Sequence, residues 1–504
     1  MAFLYIFFGV IAISATVILS TLLGLIVFTY YRRYPLRHIP SPPISNYILG
    51  HITNLGKYSR NGKILGDFAL DCAKEYGHIF AVHFLWNSSV ICLTPSAVKQ
   101  ILVTGNFPKY SSIYSNLHTV FGSRFMGNGL LSEMRTERWA QNRALFNPAF
   151  HRSYLKTCLN QFNMSSDLLI KELVGRSDGE TEVVMLEELN KVGLDIIAKV
   201  AFGTDLGIYS GGSKPFIDAV TCSLRALSDS FRRPWLAYNP LPSAREYRKE
   251  VDKSCRFIRE TGRQCIQSQI DMLQKGQPLS NNIIAYIIQT SSESGEGLPE
   301  MEEMLDEFVT FFMAGQETTA NLLAWTLMEL TQHPDIVYRL KTEIDAVIGD
   351  NGYVAFEDLS KLEYMMAVLK ESLRLHPPGS GSSRVAPQNC TFDGMKIPAG
   401  TPIILFTYAM ARMEEYFQNA ETYDPDRFLH NGDKSASMYA YFPFSLGPRM
   451  CIGQQFALIQ ARVILSKLLQ KFEFKWVPDQ SMGLVEETTI KPKDGCKCFL
   501  SAVL

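Results

Sequence analysis

The chain has 504 residues, of which 46% are hydrophobic and 12% aromatic, so it can bury a large core. Its 49 Lys and Arg residues are balanced by 50 Asp and Glu residues, and the absence of a basic excess argues against nucleic acid as a partner. The ten cysteines show neither the paired Cys-x-x-Cys spacing of zinc sites nor a small secreted framework, which indicates reduced thiols in the cytosol.

The first predicted element is a membrane anchor. Residues 2–31 carry no charged side chain, whereas about 20 apolar residues suffice to span a bilayer. A cleaved signal peptide normally has a basic first region and a shorter apolar core, and this sequence shows neither. Arg32, Arg33 and Arg37 follow at once, and the positive-inside rule places what comes after them in the cytosol. We therefore predict an anchor at 1–31, a basic, proline-rich hinge at 32–45 and one large domain at 46–504.

Helical periodicity dominates the large domain, and strand signals are short. The predicted helices include Leu65–Tyr76, Tyr154–Leu173, Val184–Phe202, Ala244–Gln274, Leu305–Gln332 and Ile336–Ile348. The predicted strands are Ile79–Leu85 with Ser89–Leu93, and a late pair near Gly483–Lys491 and Lys497–Leu504. These patterns predict a mainly α protein with small β-sheets.

Trp139 and Arg143 lie one turn apart if Arg135–Phe146 is helical, as its pattern indicates. An indole N–H and a guanidinium at this spacing can bind one carboxylate, because the arginine fork pairs with carboxylates in two contacts. Taken alone, Trp-x-x-x-Arg is more often packing plus surface charge. Arg384, which follows the break at Pro377-Pro378, is a further candidate cation.

The hexapeptide Ala314–Thr319 places a glycine, an acid and alcohols inside the apolar helix pattern Leu305–Leu330. Glycine in a helix interior costs roughly 1 kcal/mol relative to alanine, and threonine can bond back to a carbonyl one turn earlier. We therefore predict a local distortion here. Taken alone, the hexapeptide also fits a solvated Glu317 and a back-bonded Thr318.

Glu371 and Arg374 are spaced i,i+3 and lie on one helix face. An exposed pair of this kind contributes roughly 0 to 1 kcal/mol and occurs on many helices. By itself the pair carries little information.

Cys451 directly precedes a predicted helix at Gln454–Gln470. Unpaired N–H groups and the helix dipole at such an N-terminus lower the pKa of a thiol and stabilise its anion. An isolated free cysteine is usually inert and buried, so the neighbouring residues decide the interpretation.

Those neighbours form the run Phe444-Ser-Leu-Gly447-Pro-Arg449-Met-Cys451-Ile-Gly453. Gly447 and Gly453 allow the backbone to approach a flat cofactor where a Cβ would collide. Phe444 can shield the sulfur from water, and Arg449 can reach an anionic cofactor edge such as a propionate.

This run resembles the ligand signature of the cytochrome P450 haem-thiolate monooxygenases. Three earlier motifs, at Trp139–Arg143, Ala314–Thr319 and Glu371–Arg374, also match that family and stand in its order. The resemblance implies the P450 fold, a single haem-centred body, with Cys451 as the axial ligand of the haem iron. It implies further haem contacts from Trp139, Arg143, Arg384, Phe444, Gly447, Arg449, Gly453, Ala314 and Gly315.

The resemblance also assigns roles around the haem. Thr318 is expected to donate a hydrogen bond during oxygen activation, and Glu317 to relay protons from water. Arg427 is expected to join Glu371 and Arg374 in a structural network that braces the cysteine loop.

Redox partners and location follow from the same resemblance. Electrons are expected from NADPH through a separate NADPH–cytochrome P450 reductase, because the chain has no nucleotide or flavin motif; cytochrome b5 is a further expected partner. Arg138 and Lys467 are candidate docking residues.

The expected location is the endoplasmic reticulum membrane, with one span and a cytosolic catalytic domain. Pro234–Tyr238 resembles loops that dip into the bilayer, although a buried turn fits equally well.

Several segments resemble the vertebrate cholesterol 24-hydroxylases within the family: Leu117–Gly122, Phe308–Ala314, Glu317–Ala320, Tyr441–Gly447 and Cys451–Ala457. This implies hydroxylation of a sterol side chain in a pocket lined by Tyr114, Leu117, Met126, Ala314 and Thr489. Where those enzymes carry a tryptophan and a phenylalanine, this chain has Gly379–Ser383. Ser380 and Ser383 would widen and wet the pocket, at a loss of about 1.5–3 kcal/mol of apolar contact per side chain.

Three alternatives remain open from the sequence. A fatty-acid or xenobiotic hydroxylase of the same family would share every motif. A lipid-hydroperoxide isomerase or dehydratase typically lacks the acid–alcohol pair that Glu317 and Thr318 supply. A non-enzymatic haem-binding membrane protein would have little use for that pair.

Overall fold

The computed structural model describes residues 2–211, 214–279, 281–294, 297–429 and 438–503. Met1, where the predicted anchor begins, and Leu504, where the predicted domain and the last predicted strand end, lie outside these residues. The chain forms two compact units: unit 1 is Met1–Pro108, Gly381–Gln418 and Ser437–Phe442, and unit 2 is Lys109–Ser380, Asn419–Ala436 and Pro443–Leu504.

The described residues are mainly helical, as predicted. The α-helices are α1 (Ala2–Arg33), α2 (Ile52–Arg60), α3 (Leu65–Tyr76), α4 (Pro95–Val98), α5 (Ser111–His118), α6 (Thr136–Phe146), α7 (Arg152–Thr157), α8 (Leu159–Val174), α9 (Met185–Phe202), α10 (Lys214–Arg232), α11 (Pro242–Gln274), α12 (Ile283–Ser294), α13 (Met301–Gln332), α14 (Pro334–Val347), α15 (Glu363–Leu375), α16 (Thr407–Met410) and α17 (Gln454–Lys471).

The strands are short. They are β1 (Ile79–Phe84), β2 (Asn87–Cys92), β3 (Thr119–Val120), β4 (Ser123–Arg124), β5 (Asp178–Val184), β6 (Gly381–Val385), β7 (Cys390–Phe392), β8 (Met395–Ile397), β9 (Pro402–Phe406), β10 (Phe472–Trp476), β11 (Leu484–Glu486), β12 (Ile490–Pro492) and β13 (Lys497–Ala502).

Helix α1 is long and apolar enough to cross a membrane. The candidate span covers Tyr5–Leu36, with a mean hydropathy of 2.6 and no burial of its most apolar stretch. The helix ends at Arg33, just before Tyr34 and Pro35, because proline disfavours the helical conformation of the residue that precedes it. The Arg33 guanidinium donates to the Leu85 carbonyl oxygen at 2.8 Å, which attaches the end of α1 to the β1–β2 turn.

Unit 1 contains a mixed sheet in the order β1-β2-β9-β6. β1 and β2 form the predicted hairpin, with Ile79 opposite Cys92 and Phe84 opposite Asn87. β2 runs parallel to β9, and β6 lies antiparallel to β9 at the edge of the sheet. Arg384 is therefore held on an edge strand, opposite Ile403.

Unit 2 is organised around α13, which is buried at every position from Met304 to Met313. Its closest helical neighbour is α9, and two glycines permit the approach. A Cβ on Gly193 would lie 3.4 Å from the Gln316 carbonyl oxygen, and one on Gly315 would lie 3.1 Å from Ile197 Cδ1. The hexapeptide Ala314–Thr319 thus sits on a helix that tight packing holds in place.

Some predicted elements differ from the structure. The predicted helix Tyr154–Leu173 is divided into α7 and α8 at Cys158. Val184 ends strand β5 instead of starting a helix, because it pairs with Lys497 in β13. β5 was not predicted, because its residues are mostly polar and exposed and show no alternation of apolar and polar side chains.

The predicted pairing of the late strands is wrong. Residues 484–492 form their own hairpin, β11 with β12. β13 instead pairs with β10 and β5 in a three-stranded sheet. Strand pairing joins segments far apart in the chain, so the local apolar pattern that marks each strand leaves its partner open.

Candidate functional site

Cys451 lies in a tight loop before α17. Its backbone N–H donates to the Phe444 carbonyl oxygen at 2.9 Å, and the Met450 N–H donates to the Gly447 carbonyl oxygen at 3.1 Å. Gly447 has a φ of 73°, a conformation that glycine adopts without strain. These bonds close the loop and leave the Cys451 side chain ahead of the helix N-terminus.

The Cys451 thiol is recessed but accessible. It is the exposed one of the ten cysteines, and seven of the others are buried. The surrounding protein atoms raise the pKa of Cys451 by desolvation, while the Gly453 N–H and the Arg143 charge lower it. A Cβ on Gly453 would stand 3.8 Å from the sulfur, so glycine at this position leaves space beside it.

Two arginines flank the loop. Arg143 donates to the Met450 carbonyl oxygen at 2.8 Å and to Asn147 Oδ1 at 2.7 Å. The Arg449 guanidinium lies 4.3 Å from the centroid of the Trp139 ring and donates to the Glu133 carbonyl oxygen at 2.8 Å. The structure thus brings Trp139, Arg143 and Arg449 together beside the cysteine.

These residues fit a haem. Burial lowers the pKa of Arg143, and within the described residues this half-buried cation has no carboxylate at ion-pair distance. A desolvated cation favours an anionic partner such as a propionate, and an accessible thiol at a helix N-terminus suits iron. In unit 1, Arg384 is buried on β6 and donates to the Ser383 carbonyl oxygen at 2.8 Å; its predicted propionate contact stays a prediction.

The hexapeptide on α13 keeps its helical conformation. Thr318 Oγ1 donates to the Ala314 carbonyl oxygen at 2.7 Å, which is the back-bonding predicted for it. α13 is continuous from Met301 to Gln332, so the expected distortion is limited to this side-chain bond. The Cβ position of Gly315 points toward α9, and close helix packing already accounts for a glycine there.

Glu317 is buried next to the β11–β12 hairpin. Burial raises the pKa of Glu317, and Lys491 and a hydrogen bond from the Thr489 side chain lower it. Thr489 Oγ1 also accepts a hydrogen bond from Asn321 Nδ2 at 2.9 Å. Thr489, predicted as a substrate contact, therefore binds two side chains of α13. Asn321 was missed from the sequence, although an amide one turn after Glu317 in an apolar helix was a visible signal.

Glu371, Arg374 and Arg427 meet as predicted. Arg374 donates to both carboxylate oxygens of Glu371, at 2.7 and 2.8 Å, and Arg427 Nε donates to one of them at 3.1 Å. Arg374 also donates to the Ala420 and Thr422 carbonyl oxygens, at 2.6 and 3.0 Å. The contact is observed, and its role in bracing the cysteine loop stays a prediction.

Direct contacts join some of the predicted pocket residues of unit 2. Leu117 and Met126 are buried, and the Met126 N–H donates to the Leu117 carbonyl oxygen at 3.1 Å. Tyr114 is half-buried beneath Lys109, whose Nζ lies 4.6 Å from the ring centroid. Ser380 is half-buried, and Ser383, in unit 1, is buried.

Two surface expectations are wrong. Lys467 is 4% exposed and pairs with Asp167, so it is not free to dock a redox partner. The buried turn considered for Pro234–Tyr238 is excluded, because Trp235 is 59% and Tyr238 89% exposed.

Comparisons with known proteins show the family of the chain. The family model described as Cytochrome P450 matches residues 40–498. The chain is 29% identical to cytochrome P450 4d2 of Drosophila melanogaster, over 83% of this chain and 86% of the relative. It is 30% identical to 11-oxo-beta-amyrin 30-oxidase of Glycyrrhiza uralensis, over 83% and 80% of the two chains. It is 28% identical to cytochrome P450 3A2 of Rattus norvegicus, over 90% of each.

Proposed function

Because the chain belongs to the cytochrome P450 family, we propose that it hydroxylates the side chain of a sterol, as the cholesterol 24-hydroxylases do. The chain is a haem-dependent monooxygenase that uses NADPH-derived electrons delivered by a reductase. When bound, the thiolate-ligated haem supplies the activation of dioxygen that the oxidation of an unreactive C–H bond requires.

The observation that carries the proposal is the accessible thiol of Cys451, closed in its loop at the start of α17 with Arg143 and Arg449 beside it. Cys451 would hold the iron. Trp139, Arg143 and Arg449 would bind the propionates, and Phe444 would shield the sulfur. In this arrangement the protein excludes water from one side of the cofactor and neutralises its acidic edge.

Thr318 and Glu317 would manage protons. The Thr318 hydroxyl now donates to the Ala314 carbonyl and can turn to a new acceptor at the cost of one hydrogen bond. Burial raises the pKa of Glu317, which moves the carboxyl toward the range in which it can both take up and release a proton. Thr489 would keep that carboxyl in place.

The sterol assignment is supported by apolar residues and by segment resemblance. Leu117 begins a segment that resembles the cholesterol 24-hydroxylases, and its carbonyl oxygen accepts a hydrogen bond from the N–H of Met126; both side chains are buried. One relative is named for the oxidation of 11-oxo-beta-amyrin. Tyr114, Ala314, Thr489 and Ser380, which also belong to unit 2, complete the proposed lining.

We further place the protein in the endoplasmic reticulum membrane. α1 would be the anchor, the basic hinge would follow it, and residues 46–504 would form a cytosolic catalytic domain. The exposed Trp235 and Tyr238 would dip into the bilayer, since aromatic rings favour the membrane–water interface. Cytochrome b5 is proposed as a second electron donor.

The test is turnover of labelled cholesterol by the full-length protein in membranes with NADPH and reductase, with products identified by mass spectrometry. A side-chain-hydroxylated sterol supports the proposal, and NADPH consumption without a sterol product contradicts the substrate. Lauric acid in a parallel reaction tests the fatty-acid alternative, which a polar residue such as Ser380 in the pocket favours.

Proton management is tested with Thr318→Ala. We expect at least about a tenfold loss of product per NADPH consumed, with more peroxide, because one hydrogen-bond donor is lost where charge develops. The matched control is Thr331→Ala, since Thr331 also bonds back to its own helix, at the Met328 carbonyl oxygen, but near the end of α13. Unchanged coupling in Thr318→Ala would remove Thr318 from the proposal.

A further inference from the structure

Asp306 and Glu307 are adjacent carboxylates on α13 and are 1% and 2% exposed. Acidic side chains are almost never fully buried unless they are paired. The function proposed above uses neither of them. We call Asp306 and Glu307 the carboxylate pair, and both of them contact residues 124–131.

Asp306 accepts hydrogen bonds from three directions. Arg124 binds both of its oxygens, with Nε at 3.0 Å and a terminal nitrogen at 2.6 Å. The Asn128 backbone N–H donates at 2.7 Å, and Arg259 of α11 donates at 2.8 Å. A Cβ on Gly127 would come within 2.1 Å of the Asp306 carboxylate, so the loop backbone lies directly against this side chain.

Glu307 holds the next part of the same segment. Its two oxygens lie 2.9 and 3.1 Å from the Leu130 backbone nitrogen. From the other side, Lys109 Nζ donates to the Leu130 and Leu131 carbonyl oxygens at 3.3 and 2.5 Å. Two buried ionisable side chains thus fix the backbone around Leu130.

Residues 124–131, which are held in this way, connect the proposed substrate residues Leu117 and Met126 with the loop that carries Cys451. Met126 lies within this segment, and the Met126 N–H donates to the carbonyl oxygen of Leu117. Just beyond its other end, the Glu133 carbonyl oxygen accepts from Arg449, two residues before Cys451. A shift of residues 124–131 would therefore move apolar pocket residues relative to the haem-binding loop.

We propose that the carboxylate pair positions residues 124–131 and thereby determines which carbon of the substrate is oxidised. Asp306 and Glu307 act as positioning residues, because their contacts are to the protein backbone and to arginines. The inference rests on the proposed function in that Leu117 and Met126 contact the substrate; it does not require that the substrate be a sterol.

The experiment compares Glu307→Leu with Glu307→Gln in the full-length, haem-loaded protein. Leucine removes the acceptor for the Leu130 N–H, whereas glutamine keeps an oxygen at nearly the same place. Glu300→Leu is the matched control, because Glu300 is an exposed carboxylate at the start of the same helix. The readouts are the ratio of hydroxylated products from cholesterol and from lauric acid, and the amide exchange rate of residues 126–131.

We expect Glu307→Leu to change a product ratio by at least about threefold, or roughly 0.6 kcal/mol in relative barrier height, and to speed amide exchange at Leu130. Glu307→Gln should restore both values toward the wild type, and Glu300→Leu should change neither. If Glu307→Leu does not fold, Lys109→Met releases the same backbone from the other side and should shift the same readouts.

Normal product ratios and normal exchange in Glu307→Leu or Lys109→Met would overturn the inference. If cholesterol yields no product but lauric acid does, the sterol proposal fails while the product ratio from lauric acid still decides this inference. If neither is oxidised, the exchange rate of Leu130 decides it: an unchanged rate contradicts it.

Discussion

The Glu371 and Asp306 clusters are two of the buried carboxylate–arginine clusters of unit 2, and they differ in their access to water. In the Glu371 cluster, the side chains of Glu371 and Arg374 are both fully buried. In the Asp306 cluster, the carboxylate is equally buried, but the side chain of Arg124 is 39% exposed. The two arginines of the Glu371 cluster are at most 8% exposed, whereas the Asp306 cluster retains a route by which one cation can be hydrated.

The clusters also differ in how their members are distributed along the chain. Glu371 and Arg374 share one helical turn, so the sequence pattern displays the pair. Arg124 and Arg259 stand 182 and 47 positions from Asp306. The comparison teaches that residue spacing reveals such a cluster where secondary structure alone brings the partners together; Arg427, 56 positions from Glu371, was expected only from the family resemblance.

The largest expected effect belongs to the Glu371 cluster. Glu371→Gln would leave Arg374 fully buried without its counter-charge, and breaking a buried ion pair from one side costs about 3–5 kcal/mol. The measurement is the free energy of unfolding in urea for the haem-loaded protein. A cost below about 1 kcal/mol would mean that water reaches this cluster and would remove the distinction from the Asp306 cluster.

A matched control is Glu260→Gln. Glu260 and Arg263 form an exposed i,i+3 pair at 3.7 Å, and such pairs contribute about 0–1 kcal/mol. A loss in this variant as large as that of Glu371→Gln would point to a general effect of removing one negative charge.

We expect a smaller effect from Asp306→Asn. The new amide nitrogen would face an arginine or the Asn128 N–H, which leaves a buried donor unsatisfied at about 1–3 kcal/mol. Arg124 can turn toward water and limit the loss. The same urea experiment checks this, and a cost equal to that of Glu371→Gln would contradict the role given to exposure.

Much of the fold was predictable from the sequence, because helices are local. Leu65–Tyr76 was predicted to the residue, and α13 and α17 were recognised from apolar spacing that tight packing later uses. The partners of β13 were not predictable. β5 lies far from it in the chain and has an exposed polar sequence, and the β11–β12 hairpin separates β10 from it.

The candidate site shows the same difference between residues that a local motif reveals and residues whose partners lie far away in the chain. Cys451, Trp139 and Arg143 were found because their motifs have fixed spacing within one loop or one helix. Lys467 was misjudged because α17 is buried on every side from Leu458 to Leu469, so a charged residue there does not mark an exposed face. Asn321, Lys109 and the carboxylate pair acquire their meaning only from contacts across the fold.

The smallest expected effect is a change of stability with pH in the Asp306 region. Burial raises the pKa of Glu307 to about 8, with Asp306 and Glu303 adding to the rise and the Leu130 N–H and Lys109 opposing it. In the unfolded chain this carboxyl ionises near its ordinary pKa of about 4.3. The stability that neutral Glu307 contributes is therefore complete below that pH and is lost as pH rises through about 8.

From pH 6 to pH 7 the wild type should lose up to about 1.4 kcal/mol relative to Glu307→Gln, which cannot titrate. Urea unfolding of both proteins at the two pH values measures the difference. Parallel curves would show that Glu307 is ionised when folded, and that the region around Leu130 is as well hydrated as Arg124.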